Sequence, residues 1–283
     1  MEVYTYTTLK NIPTLLPLFL MEDKLHPILI EIFGIKIYTY GFFVALAILL
    51  STSFIQHQLS KSISEEVVNR LIFKAILYGF IGAKVVNILE HWKEYYRYLS
   101  SLDPKTIVGL LTSGYSFWGV LAGIGIYIYL FCKKSKGNNI DCNTLLDIIA
   151  TGTLLGLSIG KLGCLSAGCC YGKVCHYWFA IKFTNPLSAA PLNVPLWPVQ
   201  LIESIGYFVL FLSSYLLRKI GIHTFGFSLA SYCLFRFLIE FIRATTPIIF
   251  TIHNLSITWI QIACLLLLPI SIYILLKTNK KEN

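Results

Sequence analysis

Arg236, Glu240 and Arg243 stand at i, i+4 and i+7 within an otherwise apolar run, so in a helix they share one face. Glu203 lies a turn inside another apolar run, and Lys84 and Lys161 interrupt two more. A lysine placed within a bilayer costs about 2.5–3.5 kcal/mol, so each such residue is a functional-site hypothesis by default. Ion pairing can account for Glu240 with one arginine, and either lysine can snorkel to the interface. Neither reading accounts for the cationic surplus. A positively charged pocket within lipid calls for an anion, and the planar fork of arginine matches phosphate. At that depth the available anion is a phospholipid head group.

Thiols form the second chemical feature. Cys164, Cys169, Cys170 and Cys175 cluster within the run Gly160–Lys173 and just beyond it. Metal-binding pairs are spaced by at least two residues, and no second pair follows Cys169-Cys170, so no metal is expected. For Cys169 and Cys170 a redox role and a structural one both stay open; Lys161 and Lys173 could lower a thiol pKa there. Cys132, Cys233 and Cys264 are expected to pack as small hydrophobes, and Cys142 to stay reduced in a cytoplasmic connection. His91 and His176 read as surface residues.

The elements that must position these groups are membrane helices. Of 283 residues, 56% are hydrophobic and only 13% charged, against roughly 25% charged in a soluble domain. Apolar stretches near Tyr38–Ile55, Leu71–Leu89, Ser116–Cys132, Leu145–Leu165, Val199–Leu217, Phe225–Ile242 and Ile257–Leu275 approach the roughly 20 residues a span requires. The expected fold is all-α: a polytopic integral membrane protein with about seven transmembrane helices and a small irregular extracytoplasmic cap over residues 166–198. In that cap Tyr177–Phe183 reads as a short strand-like run, and residues 90–115 read as an aromatic interfacial connection. Residues 1–25 read as an interfacial extension with no signal-peptide cleavage site, and translation starts at Met1 or Met21. Gly152, Gly156 and Gly160, four apart, would let another helix approach the fourth span closely.

The net charge of +9 concentrates in alternate short loops: Lys61 with Arg70, the Lys133–Lys136 group, Arg218 with Lys219, and Lys277 to Lys281. This is the positive-inside pattern and carries no nucleic-acid signal. It places the C-terminus in the cytoplasm and the N-terminus outside. Tyr40, Lys84, Ser116, Trp118, Lys161, Gln200, Glu203, Arg236, Glu240, Arg243 and Gln261 then fall at one outer level, as a single expected site.

From His26 to about Leu275 the chain resembles the prolipoprotein diacylglyceryl transferase family. The resemblance is carried by His26-Pro27 with Tyr38-Thr39-Tyr40-Gly41, by Gly82-Ala83-Lys84, and by Ser113-Gly114-Tyr115-Ser116-Phe117-Trp118-Gly119. It continues through the Gly160–Lys173 signature, Trp197-Pro198-Val199-Gln200-Leu201-Ile202-Glu203, and Arg236-x-x-x-Glu240-x-x-Arg243. It implies a transmembrane transferase-like domain over residues 26–283. The implied activity is transfer of a diacylglyceryl group from phosphatidylglycerol to the lipobox cysteine of a prolipoprotein, with glycerol phosphate leaving. Tyr40, Lys161, Glu203 and Arg236 would be catalytic. Lys84, Ser116, Trp118, Gln200, Glu240, Arg243 and Gln261 would bind substrate. Implied partners are phosphatidylglycerol, the prolipoprotein signal peptide and membrane lipids, with no cofactor. The protein would be a monomer in the bacterial plasma (inner) membrane.

The chain departs from the family pattern at named positions. Lys84 and Lys161 replace arginines, Trp118 replaces the histidine expected to help deprotonate the thiol, and Trp197 replaces another histidine. Cys164 and Cys169 replace a signature Asn and Glu. Two other readings therefore stand beside the transferase. One is a divergent paralogue that binds or moves an anionic phospholipid; the other is a membrane thiol-redox protein using Cys169 and Cys170.

Overall fold

The computed structural model describes residues 27–32, 34–99, 114–134, 141–252 and 255–280. The expected extension over residues 1–25, the choice between Met1 and Met21, His26 and most of the aromatic connection beyond Leu99 lie outside these.

Among the described residues, helices overlap the expected apolar stretches: α1 (Thr39–Leu59), α2 (Glu65–Glu90), α4 (Phe117–Lys134), α5 (Cys142–Ala167), α6 (Val199–Lys219), α7 (Phe225–Ile239) and α8 (Trp259–Asn279). A short amphipathic helix, α3 (Trp92–Leu99), follows α2. Among the described residues, α1, α2, α5, α6 and α8 are long and apolar enough to cross a membrane, and α7 is a shorter apolar helix. Their outer faces carry large exposed apolar side chains such as Phe73, Leu212 and Leu266. Water would penalise that display, whereas lipid accepts it. This is a multi-pass membrane protein.

Two antiparallel hairpins each lead into a helix. β1 (Ile28–Ile32) pairs with β2 (Ile35–Tyr38) before α1, and β3 (Ile248–Ile252) pairs with β4 (Leu255–Thr258) before α8. The first hairpin sets Glu31 opposite Lys36 and turns through Gly34 at φ +79°, which a glycine adopts without strain. At the end of the second, Thr258 and Gln261 form a reciprocal capping box that starts α8.

The chain divides into two compact units, residues 51–152 and residues 1–50 with 153–283. In the first of these, Leu59, Val68, Leu71, Tyr127, Ile128, Leu145 and Ile148 form a buried cluster. There α2 and α4 meet backbone to backbone. A Cβ on Gly119 would stand 2.7 Å from the Ala83 Cα, and one on Gly82 would stand 2.9 Å from the Gly123 Cα. Glycines at this crossing remove the side chains that would keep the helices apart. The expected glycine stripe on α5 behaves differently. Gly152 packs against Ile55, but Gly160 has nothing within 4 Å of its Cβ position, so the stripe is not a continuous contact.

Cys132 and Cys142 form a disulfide, with their Cα atoms 5.9 Å apart. This corrects the expectation of one packing thiol and one reduced thiol. The end of α4 and the start of α5 bring the two residues within bonding reach.

In the other unit, α6, α7 and α8 pack through small residues and rings. A Cβ on Gly206 would stand 2.6 Å from the Phe235 Cε1, and one on Gly226 would stand 2.7 Å from the Leu275 Cα. Tyr207 stacks on Tyr232 and meets Phe235 edge-on, while the Ser214 and Ser228 hydroxyls lie 2.8 Å apart. Residues 168–198 are irregular, but they have a core of their own. Ile181, Phe183, Ala190 and Leu196 bury against Leu165 of α5. Tyr177–Phe183 is not a strand; isolated bridges at Ile181 and Phe183 take its place.

Candidate functional site

The larger unit brings Lys161, Arg236 and Arg243 around the Glu203 carboxylate, with Glu240 beside Arg236. Pro198 precedes α6, whose first turns hold Gln200 and Glu203 with no exposed surface. Two reciprocal hydrogen bonds fix the register of α6 against α5. The Ser158 hydroxyl donates to the Ser204 carbonyl and the Ser204 hydroxyl donates to the Ser158 carbonyl, each at 2.8 Å. One turn further along α5, the Lys161 ammonium reaches Glu203 Oε2 at 2.5 Å.

Arg236 comes from the last turn of α7, 3.7 Å from Glu203 Oε1 and 2.6 Å from Glu240 Oε2. The helix ends at Ile239, so Arg243 does not share its face through helical spacing as expected. The chain instead turns, and Arg243 is bridged to Gly172: the Lys173 amide donates to the Ile242 carbonyl at 2.8 Å. From there the Arg243 guanidinium reaches Glu203 Oε2 at 3.3 Å, and its Nε donates to the Thr245 hydroxyl at 3.0 Å.

Three cations thus face two carboxylates, leaving one positive charge. Glu203 is fully buried, whereas the side chains of Lys161, Arg243 and Arg236 keep 15%, 10% and 7% exposure. The cations therefore line the accessible side of the cluster. A buried carboxylate with these partners fixes where they point. Tyr207, four residues after Glu203 and on the same face of α6, adds a hydroxyl 3.4 Å from Glu203 Oε1. The sequence reading missed Tyr207, although its i+4 spacing was the available signal.

The thiols adjoin this cluster. The Gln200 side-chain amide donates to the Cys169 carbonyl at 2.8 Å, while its own Oε1 is buried without a partner among the described residues. Beyond the end of α5, Gly168 and Cys170 both take left-handed conformations, at φ +68° and +59°. That turn folds the chain back, and the Sγ atoms of Cys164, Cys169 and Cys170 all lie within 4.8 Å of one another. Hydrogen bonds from the Cys164 and Cys169 thiols hold the Cys170 thiol below its ordinary range, with further help from Arg243 and Lys161. For Cys169 the hydrogen bond with Cys164 lowers the pKa, but the one with Cys170 and burial outweigh it, and it is pushed up to about 11.

The remaining expected residues are placed as follows. Tyr40 lies in the first turn of α1, where the chain passes α5: a Cβ on Gly163 would stand 3.3 Å from the Tyr40 carbonyl oxygen. Gln261 is buried and uses its carbonyl oxygen to cap α8, at 2.9 Å from the Thr258 amide; its Nε2 is buried without a partner among the described residues. Lys84, Ser116 and Trp118 belong to the other unit. There the Lys84 ammonium donates to the Tyr95 hydroxyl at 3.1 Å and lies over the Tyr95 and Tyr115 rings. Ser116 donates to Glu90 at 3.1 Å, and the Trp118 side chain is exposed.

Comparison with known proteins identifies the family. The model of the prolipoprotein diacylglyceryl transferase family matches residues 27–277. A phosphatidylglycerol–prolipoprotein diacylglyceryl transferase of Clostridium tetani is 33% identical over 222 residues, covering 77% of this chain and 85% of that protein. Transferase 2 of the same name from Clostridium perfringens is 32% identical, covering 75% and 81%. The Rickettsia bellii protein of that name is 27% identical over 264 residues, covering 90% and 96%. With its polytopic helices and its cationic cluster around Glu203, the chain belongs to a transferase family, the prolipoprotein diacylglyceryl transferases.

Proposed function

We propose that the chain transfers a diacylglyceryl group from phosphatidylglycerol to the lipobox cysteine of prolipoproteins, at the outer leaflet of the plasma membrane. The observation that carries this reading is the fully buried Glu203 with Lys161, Arg236 and Arg243 within 3.7 Å and, once Glu240 is counted, one positive charge to spare.

The chemistry explains why such a cluster serves. The acceptor thiol gives its proton to water, and the thiolate sulfur attacks the glyceryl carbon that bears the phosphate. A C–S bond forms as the C–O bond breaks, and the electron pair leaves with glycerol phosphate. Negative charge grows on the phosphate during that step. Cations already fixed in a low-dielectric site stabilise it without reorganising, which is where many enzymes gain most of their rate. Arg236 and Lys161 would hold the phosphate with Arg243, and Glu203 would set their positions. Gln200 and Tyr40 would orient substrate. With Trp118 in place of a histidine base, a thiol of pKa about 8.5 needs only the modest depression that nearby cations provide.

The basic loops favour seven spans, counting α4 and α7, with the C-terminus cytoplasmic and the N-terminus outside. Residues 166–198 then form a cap on the outer face, and the protein acts as a monomer.

The test is purified protein in lipid micelles with labelled phosphatidylglycerol and a lipobox peptide. Label should pass to the peptide cysteine as a thioether. Arg236→Ala should lower transfer by about 10²–10³-fold, and Lys219→Ala, a charge removed far along α6, should leave it intact. Phosphatidylglycerol binding with no thioether under any condition would make the protein a lipid carrier. Turnover of a disulfide in place of transfer would make it a thiol-redox protein.

A further inference from the structure

The transfer chemistry leaves three thiols unused: Cys164, Cys169 and Cys170. In a continuous helix, residues five apart would point about 140° away from one another. They meet because the chain leaves the helix at Ala167 and passes through two left-handed residues, Gly168 and Cys170. The turn is anchored independently of its thiols. The Ala189 amide donates to the Ala167 carbonyl at 3.0 Å, and Gln200 holds the Cys169 carbonyl at 2.8 Å. Gly168 sits against Ser188 and Phe183 with no room for a Cβ. A non-glycine residue at positive φ is uncommon and persists where surrounding structure over-determines it. The trio is therefore preorganised rather than a chance approach of mobile side chains.

We propose that Cys164, Cys169 and Cys170 form a binding site for one thiophilic d10 cation, zinc or copper(I), held by their three sulfurs. Three sulfurs around an ion at about 2.3 Å must stand roughly 4 Å apart. The observed sulfurs, all within 4.8 Å of one another, need only small rotations to meet that requirement. Thiolate is the soft donor that favours these ions over magnesium or calcium. Three sulfurs complete a trigonal copper(I) site and leave zinc a fourth position for water. As each S–metal bond forms, the thiol proton passes to solvent, with no change of oxidation state.

The surroundings fit the product. A zinc ion with three thiolates carries one negative charge and a copper(I) ion two. Arg243 and Lys161 act electrostatically on Cys170 from the adjoining cluster, which has a positive charge to spare. All three cysteines are only partly buried, so an ion has a way in. Sequence spacing alone excluded a metal because Cys169 and Cys170 are adjacent. The left-handed Cys170 and the return onto Cys164 remove that objection.

The experiment uses the full-length protein in detergent, reduced with a phosphine and desalted. In separate arms it is titrated with Zn²⁺ against a chromophoric zinc chelator and with Cu⁺ against a copper(I) chelator. One ion per chain is expected in at least one arm, and which arm saturates identifies the ion. Each of Cys164→Ser, Cys169→Ser and Cys170→Ser should weaken binding by more than about tenfold, since even outer-shell changes cost 10–100-fold. Cys175→Ser, buried outside the trio, should not. A second measurement needs no variant: one equivalent of ion should protect Cys164, Cys169 and Cys170 of the native chain from alkylation, read by mass spectrometry. Binding unaltered by the serine variants, or alkylation of the trio unaffected by either ion, would overturn the proposal. Neither readout depends on transferase activity, so the two readings fail separately.

Discussion

Glu203→Gln keeps the shape of the buried side chain and removes its charge. Lys161 and Arg243 would then lose this carboxylate, and Arg236 would keep Glu240. Removing one partner from a buried ion pair costs about 3–5 kcal/mol, because the other charge is left uncompensated. Two features favour the lower end. Lys161 and Arg243 retain 15% and 10% exposure and can be rehydrated, and Arg236 keeps Glu240 at 2.6 Å. A loss of about 3 kcal/mol, at roughly 2 °C per kcal/mol for a chain of this size, lowers Tm by about 6 °C. Tryptophan fluorescence of the detergent-solubilised protein would follow it. The sharper readout is rescue. Glycerol phosphate at about 100 times its Kd stabilises by about 2.7 kcal/mol, and in Glu203→Gln it would also supply the missing anion. Its Tm shift should therefore be larger in the variant than in the wild type. Adding Lys161→Met to Glu203→Gln should recover part of the loss, since deleting both partners of a buried pair is often neutral. A variant melting within about 1 °C of wild type, or equal glycerol phosphate shifts in both, would refute the claim that Glu203 holds the cations in place.

Further outcomes follow from single contacts. Gly168→Ala places a Cβ at φ +68° against Ser188 and Phe183, and should cost about 2–4 kcal/mol, read as a Tm fall of at least about 4 °C; adding Ser188→Ala should return part of it. Gly119→Val drives methyl groups into the backbone of Gly82 and Ala83 and should cost at least about 3 kcal/mol, seen as loss of the monodisperse chromatographic peak. Gly125→Ala, with open space at its Cβ, should be unaffected in the same experiment. Arg236→Lys keeps the charge but loses the fork, and transfer to a lipobox peptide should fall more than about tenfold, against about 10²–10³-fold for Arg236→Ala.

Apolar run length located the helices in the sequence, because a span needs a fixed length of apolar chain and little else. The hairpins escaped for the same reason. Ile28–Ile32 and Ile35–Tyr38 alternate around Phe33-Gly34, with Glu31 and Lys36 cross-strand, but they abut an apolar helix that dominates the local hydropathy. Ile248–Ile252 and Leu255–Thr258 flank His253-Asn254 in the same way. In the site, residue types were legible and delivery was not. Arg243 keeps helical spacing to Arg236, yet it arrives through a bridge to Gly172 some seventy residues earlier in the chain. The thiol trio depends on two left-handed residues, and only Gly168 advertises one. A cysteine at φ +59° leaves no trace in composition or periodicity.

The cationic cluster and the thiol turn are successive rungs of one ladder. Ser158, Lys161 and Cys164 follow each other at intervals of three along α5, one face of the helix. Opposite them on α6, running the other way, stand Ser204, Glu203 and Gln200. Ser158 bonds Ser204, Lys161 bonds Glu203, and beyond Cys164 the Cys169 carbonyl takes the Gln200 amide. A one-residue slip of α6 would break every rung, so the neutral serine pair fixes the register that lets a carboxylate be buried with its cations. The coupling also runs back. An ion seated on the three thiols would clamp Cys169, and through Gln200 it would stiffen the helix turn that carries Glu203. Cys169 therefore adjoins the support of the Glu203 cluster without displacing Lys161, Arg236 or Arg243 from it.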